Sequence, residues 1–278
     1  HWTTLAQVCA DKFGVEVADI DVQKGDTGKI ASGVGTFASR IAVNAGSSVH
    51  LAAREVREKA IKVASHMLEA AEEDMDIKGG RVIVKGSDLS VGLSEIARAV
   101  QGMPGFSLPG GVEPGLEATH YFSPSQSSYC NGTAVVEVEV DPHTGKVKIL
   151  NYSMSHDSGT LINPFVVDGQ VQGAIAQGVG NSFLEWMIYD ENANPVSTTF
   201  AEYLLPTASE IPNVKVAHVE SPTPINPLGV KGAGEGGTIP AAAAIIAAIE
   251  DALSPWEISI SEAPVTPSMI VNKIALKR

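Results

Sequence analysis

Five of the nine residues from Gly229 to Gly237 are glycine, and the one acidic residue among them, Glu235, stands between Gly234 and Gly236. No neighbouring side chain shields a carboxylate so flanked, so a substrate or cofactor can come directly against it. The glycines also reach positive φ angles that other residues resist. The stretch continues through Thr238-Ile239-Pro240 into an alanine-rich segment that reads as a helix with Pro240 in its first turn. Two readings of Glu235 stay open on these local grounds: a dipole-stabilised cap at a helix N-terminus, or a catalytic carboxylate.

Two further segments break local propensity rules, and such breaks concentrate at functional sites. Asp168 to Gly180 carries a helical pattern, yet Gly169, Gly173, Gly178 and Gly180 fall in or beside it. Each interior glycine costs roughly 1 kcal/mol relative to alanine, so close approach of something to that backbone is the natural offset. Gln170 and Gln177 lie two turns apart on one face. A glutamine amide offers two donors and an acceptor, which suits a heterocycle edge, while tight helix packing with exposed glutamines is the alternative. Gly25 to Arg40 is a polar, glycine-rich loop in which Thr36, Ser39 and Arg40 add hydroxyls and a guanidinium. That set suits a phosphate or pyrophosphate, although such loops are common.

The remaining pattern is α+β, with helices and antiparallel hairpins interleaved and no regular βαβ alternation. Thr3 to Phe13 reads as a short helix and Val15 to Val22 as a strand. A long helix runs from about Ser47 to Glu73, with Glu55–Lys59 and Glu58–Lys62 as i,i+4 pairs. Met75 to Val84 is a hairpin turning at Gly79-Gly80, and Leu93 to Val100 a short helix. Val136, Val138 and Val140 alternate with Glu137 and Glu139 into a second hairpin through Asp141-Pro-His-Thr-Gly145. The Gly/Pro-rich stretch Pro104 to Pro114 suggests two subdomains, 1–105 and 116–278.

The formal charge of −13 comes with scattered Lys and Arg, so there is no electrostatic footprint for nucleic acid. No apolar run approaches the roughly 18 residues of a membrane span. No signal peptide opens the chain, and His-Trp-Thr-Thr-Leu reads as the middle of a longer polypeptide. Cys9 and Cys130 are the only cysteines, too few for an iron–sulfur cluster. Low cysteine use fits a reducing compartment, and a cytoplasmic location is expected.

The segments are more specific together than singly. The Ala38-Ser39-Arg40 loop with its following helix, Asp157-Ser-Gly-Thr-Leu-Ile-Asn-Pro164, Gly169-Gln-Val-Gln-Gly173 with Gln177-Gly-Val-Gly180, and Gly229-Val-Lys-Gly-Ala-Gly-Glu-Gly-Gly237 occur in that order. The ordered set resembles the large subunits of molybdenum hydroxylases, the family of xanthine dehydrogenase, aldehyde oxidoreductase and the carbon monoxide dehydrogenase large chain. The resemblance runs from the opening helix to about Leu253; the tail after Pro255 matches only loosely. One departure is Ile239-Pro-Ala-Ala, where the family commonly continues with glycine and then alanine or proline.

The resemblance implies the C-terminal portion of a molybdenum-cofactor subunit. Its substrate would be a small molecule with an electron-poor carbon, such as an N-heterocycle, purine or aldehyde, hydroxylated with a metal-bound oxygen while Glu235 acts as base. Gln170, Thr36, Ala38, Ser39, Arg40 and Gly234 would contact molybdopterin, with a cytosine dinucleotide form open, and no side chain would ligate the metal. Iron–sulfur and FAD subunits and the N-terminal half of the molybdenum subunit would be its partners. Two alternatives remain: a carbon monoxide dehydrogenase-type large subunit, and a non-catalytic docking fragment, which has no need of a carboxylate between glycines. His156 and Asp157 read as ordering the turn into Asn163-Pro164, and His218, alternating with Val214 and Val216, as a satisfied core or interface histidine.

Overall fold

Two separate apolar clusters organise the chain. The computed structural model describes residues 1–278 apart from 31, 32, 103, 105, 106 and 278. One unit comprises His1–Ser128 with Thr223–Val230, the other Tyr129–Pro222 with Lys231–Arg278. The described residues of the stretch Pro104 to Pro114, read above as a boundary, fall inside the first unit, and residues 105 and 106 lie outside the described residues. Leu108, Val112 and Leu116 pack against the first core and hold this connection there.

In the first unit, helix α1 (Trp2–Phe13) and helix α2 (Ser47–Leu68) pack with a three-stranded antiparallel sheet, β1 (Met75–Lys78), β2 (Arg81–Val84) and β3 (Ser90–Gly92), followed by α3 (Leu93–Ala99). The β1–β2 turn has both Gly79 and Gly80 at positive φ, 58° and 67°, as a two-residue hairpin of matching twist requires. Phe13, Ala60, Val63, Ile77, Val82 and Ile96 fill the core.

Three expectations for this unit are corrected. Val15 to Val22 is not a strand. Val17–Asp19 forms a single 3-10 turn, and the Asp19 carboxylate accepts the Glu16 N–H at 3.1 Å, so a local side chain satisfies backbone that a strand would leave to a neighbour. Helix α2 stops at Leu68 rather than near Glu73, because Glu69 turns left-handed at φ 51°, ψ 41°. Glu58 pairs with Arg54 at 3.6 Å and Glu55 with His120 at 2.5 Å, in place of the expected lysines.

The second unit is built on a three-stranded mixed sheet. Strands β4 (Asn131–Val140) and β5 (Val147–Asp157) form the expected hairpin, and β6 (Val214–His218) pairs with β5 in parallel. The Asp141 carboxylate accepts the His143 N–H at 2.9 Å to close the hairpin turn. A register shift between Glu137 and Val138 absorbs Leu150 as the extra residue on β5. Beyond it, Tyr152, Met154 and His156 all point into the core.

Helix α4 (Pro164–Phe183) starts at Asn163, whose side chain accepts the Val166 N–H, with Pro164 in the first turn. Helix α5 (Ala241–Ala252) buries Ala241, Ile245 and Ile249 against α4 and β4. The loosely matching tail contributes α6 (Pro267–Ala275), capped by Thr266, and its Ile270 and Ile274 complete the core. No helix among the described residues is long and apolar enough to cross a membrane.

The glycines of α4 divide into two kinds. A Cβ on Gly178 would lie 2.2 Å from the Ala241 Cβ, so this glycine lets α4 and α5 approach closely. Around Gly169 and Gly173 an added Cβ meets nothing within 4 Å. Opposite stability changes follow for one substitution. Gly178→Ala overpacks the α4–α5 contact and destabilises by about 1–3 kcal/mol in equilibrium denaturation. Gly173→Ala gains helix propensity and stabilises by up to about 1 kcal/mol; equal effects at both positions would contradict the division.

Candidate active site

The Glu235 loop is anchored at its start by a buried ion pair. Lys231 Nζ lies 2.7 Å from Asp157 Oδ2 at the end of β5, with the two side chains 10% and 12% exposed. The same ammonium donates to Ser221 Oγ at 2.7 Å, and the Lys231 N–H donates to the Ser158 carbonyl at 2.6 Å. Asp157 also accepts the backbone N–H groups of Gly159 at 2.8 Å and Ser221 at 3.2 Å, and the Ser221 hydroxyl. Burial works to raise the Asp157 carboxyl, but the hydrogen bonds from Lys231, Ser221 and Gly159 together hold it well below the usual carboxylate range. Asp157 does order the turn after β5, as expected. It also ties in Ser221 and Lys231, which lie far along the chain.

The loop is seated a few residues later. A Cβ on Gly236 would fall 2.3 Å from His156 Nε2, and one on Gly237 2.5 Å from the Val171 carbonyl and 2.9 Å from the Ala174 Cβ. Any side chain at either place would lift the loop off β5 and α4. Glu235 then turns into α5, its carbonyl accepting the N–H groups of Thr238 at 3.1 Å and Ile239 at 3.2 Å. Glu235 is exposed and Gly234 half-buried.

Helix α4, on which the loop rests, turns another face outward. At about 100° per residue, Val166, Gly169, Gln170, Gly173 and Gln177 share an arc of roughly 100°, whereas Gln172 points elsewhere. All five are exposed. With nothing near Gly169 or Gly173, this is a strip of bare helix backbone bordered by two amides. Gln170 directly precedes Val171, whose carbonyl faces Gly237. The structure therefore brings the glutamate loop and the glutamine helix together within the second unit.

The serine loop belongs to the first unit, and its residues 31 and 32 lie outside the described residues. Ala38 and Ser39 both have φ 51°, a left-handed pair costly for residues with a Cβ and characteristic of strained functional loops. Thr36 and Ala38 are exposed, Ser39 and Arg40 half-buried. The Arg40 guanidinium stacks on the Phe37 ring 4.1 Å from its centroid. A π-helical turn, Ala42–Gly46, follows and runs directly into α2.

Sequence reasoning missed Lys231 and Ser221 as parts of the site. The signal was present: a lysine among glycines and apolar residues needs a counter-charge, and Asp157 was already prominent. His218 is a core-facing histidine with a partner, its Nε2–H donating to Asp168 Oδ1 on α4 at 2.7 Å.

Comparison with known proteins gives the family. Residues 1–212 match the family model of the molybdopterin cofactor-binding domain. The chain is 41% identical over 273 residues to the nicotine 6-hydroxylase large subunit of Paenarthrobacter nicotinovorans, covering 98% of this chain and 33% of that protein. It is 36% identical to the carbon monoxide dehydrogenase large chain of Hydrogenophaga pseudoflava, over 91% of this chain and 31% of the relative. Among solved structures, quinoline 2-oxidoreductase from Pseudomonas putida 86 superposes with a TM-score of 0.88 at 40% identity, over 99% of this chain and 35% of that one. A copper–molybdenum carbon monoxide dehydrogenase does so with a TM-score of 0.90 at 31% identity, over 100% and 34%. The chain thus spans about a third of the length of these relatives. It belongs to the molybdopterin cofactor-binding domain family of the molybdenum hydroxylase large subunits.

Proposed function

We propose that this chain is the C-terminal portion of the molybdenum subunit of a cytoplasmic oxidoreductase that hydroxylates an electron-poor ring carbon of an N-heteroaromatic substrate, with Glu235 as base. The observation that supports the reading is the seating of Gly236 and Gly237, directly after Glu235, on β5 and on the helix that carries Gln170. The N-heterocycle assignment follows the relatives at 40–41% identity, named for nicotine and quinoline, against 35–36% for the carbon monoxide dehydrogenase large chains.

The residues present fit the pterin group. Gly169 and Gly173 leave helix backbone uncovered, and Gln170 offers paired donors and an acceptor to a heterocycle edge. Gly234 lets the group come against the loop. Within the first unit, Thr36, Ala38, Ser39 and Arg40 supply hydroxyls, strained backbone and a guanidinium, a set suited to a phosphate. When bound, the molybdenum–pterin group supplies two-electron redox chemistry and an activated oxygen.

Each turnover converts a substrate C–H and water into C–OH, two protons and two electrons. Glu235, an exposed residue, accepts a proton at a carboxylate oxygen, and Lys231 clamped on Asp157 fixes the start of its loop. The electrons leave through iron–sulfur and FAD subunits, and the remainder of the molybdenum subunit completes the site.

Three outcomes are expected. In the complete enzyme, Glu235→Gln keeps its molybdenum content and loses about 10²–10⁴-fold in kcat with quinoline or nicotine and an artificial electron acceptor. Near-normal turnover would remove Glu235 from the chemistry, and turnover of carbon monoxide or xanthine alone would overturn the substrate class. Gly173→Leu, which fills the bare face of α4, lowers pterin and molybdenum content while circular dichroism stays unchanged; full cofactor content would place the pterin elsewhere. Lys231→Met strands a buried carboxylate and destabilises by about 3–5 kcal/mol. Because the Asp157 carboxyl is held below its unfolded value, its contribution is present above the unfolded pKa of about 3.9 and is lost as pH falls through the depressed folded value. The destabilisation by Lys231→Met is therefore full near neutral pH and shrinks as pH falls below the unfolded carboxylate value, and an equal deficit at both pH values would refute the pairing.

A further inference from the structure

His156 is the last of the alternating core-facing residues of β5, after Tyr152 and Met154. It is 1% exposed, and among the described residues neither ring nitrogen has a hydrogen-bond partner. An imidazole buried this way costs free energy that a leucine in the same place would not. Burial, and next the neighbouring His218, push its pKa down, against an upward pull from Asp157. The ring does something other than fill the core.

What it touches is the loop. Nε2 is the atom nearest a Cβ built on Gly236, at 2.3 Å, with Cδ2 at 2.8 Å and Cε1 at 3.5 Å. The nitrogen-bearing edge therefore abuts the backbone one residue after Glu235. The Gly236 N–H reaches the Ala233 carbonyl only at 3.4 Å, a weak bond for a peptide this well buried. His218, the register partner of His156 on β6, stands edge-on to it with ring centroids 6.2 Å apart. Through Asp168, His218 braces the strand pair against α4 two residues before Gln170.

Resting on the reading of Glu235 as base, we propose that His156 is its positioning residue, the Nε2 edge seating the Gly236 peptide and so fixing where the carboxylate points. The test uses the complete holoenzyme with quinoline, or whichever compound among quinoline, nicotine, xanthine, an aldehyde and carbon monoxide it turns over fastest. His156→Leu keeps an apolar filler and removes Nε2, whereas His156→Gln keeps a polar atom near that place. Both variants should retain molybdenum and melt close to the parent. His156→Leu should lose at least about tenfold in kcat with KM within about twofold, and His156→Gln should return to within about threefold of the parent.

Amide hydrogen exchange should rise over residues 232–238 in His156→Leu and stay unchanged elsewhere in the second unit. The double variant with Glu235→Gln should be no more than about twofold slower than Glu235→Gln alone, because both act through one carboxylate. Parent-like kcat and exchange in His156→Leu overturn the proposal, as do multiplicative losses in the double variant. Loss of molybdenum with a general rise in exchange in both variants marks the ring as packing only and also overturns it. An active Glu235→Gln enzyme sinks the base assignment and this inference with it. An inactive Glu235→Gln beside a parent-like His156→Leu sinks this inference alone.

Discussion

The contact of Gly236 and Gly237 with β5 and α4 is the constraint on which the site depends. Two residues without side chains let a loop lie on the Val171 carbonyl and on the edge of His156 at distances that no Cβ would allow. Because the loop sits so low, the residues directly after Glu235 lie against β5 and against the helix that carries Gln170. Raise the loop by the depth of one methyl group and those contacts with β5 and α4 would be lost.

That seat is held by interactions of different range. The hydrogen bonds from Glu235 O to Thr238 and Ile239 are local and shape the entry to α5. Long-range order comes from Asp157, a single carboxylate that gathers the Gly159 turn, Ser221 and Lys231. A buried pair of this kind contributes little net stability compared with apolar filling, and its better-attested use is to specify one arrangement. Here the specified arrangement is the point where the loop leaves the end of β5.

The helix beneath shows how one residue type serves two ends. Gly178 is missing a Cβ because α5 needs the space, so its helix-propensity cost is offset by close packing of Ala241, Ile245 and Ile249 with Val171, Ile175 and Val179. Gly169 and Gly173 have no such neighbour. In the proposed reading their cost is offset by a cofactor approaching the bare backbone.

Much of this was legible in local pattern, because periodicity and turn chemistry act over a few residues. The Gly79-Gly80 hairpin, the valine alternation of β4, the stripes of α2, α4 and α5, and Glu235 between glycines could all be read along the chain, and the ordered motifs pointed to the family. Contacts between distant residues could not be read. That Lys231 meets Asp157, that His156 lies under Gly236, and that Gly178 is a packing device while Gly169 and Gly173 are not follow from where separate elements come to rest. Val15 to Val22 failed as a strand for the same reason: its apolar residues suggested one, but a strand exists only where a neighbour accepts its hydrogen bonds, and a local aspartate satisfied the backbone first. Sequence alone determined which groups are present and which segments are helix or hairpin; the fold decided which of them touch, since touching is settled by packing across the chain.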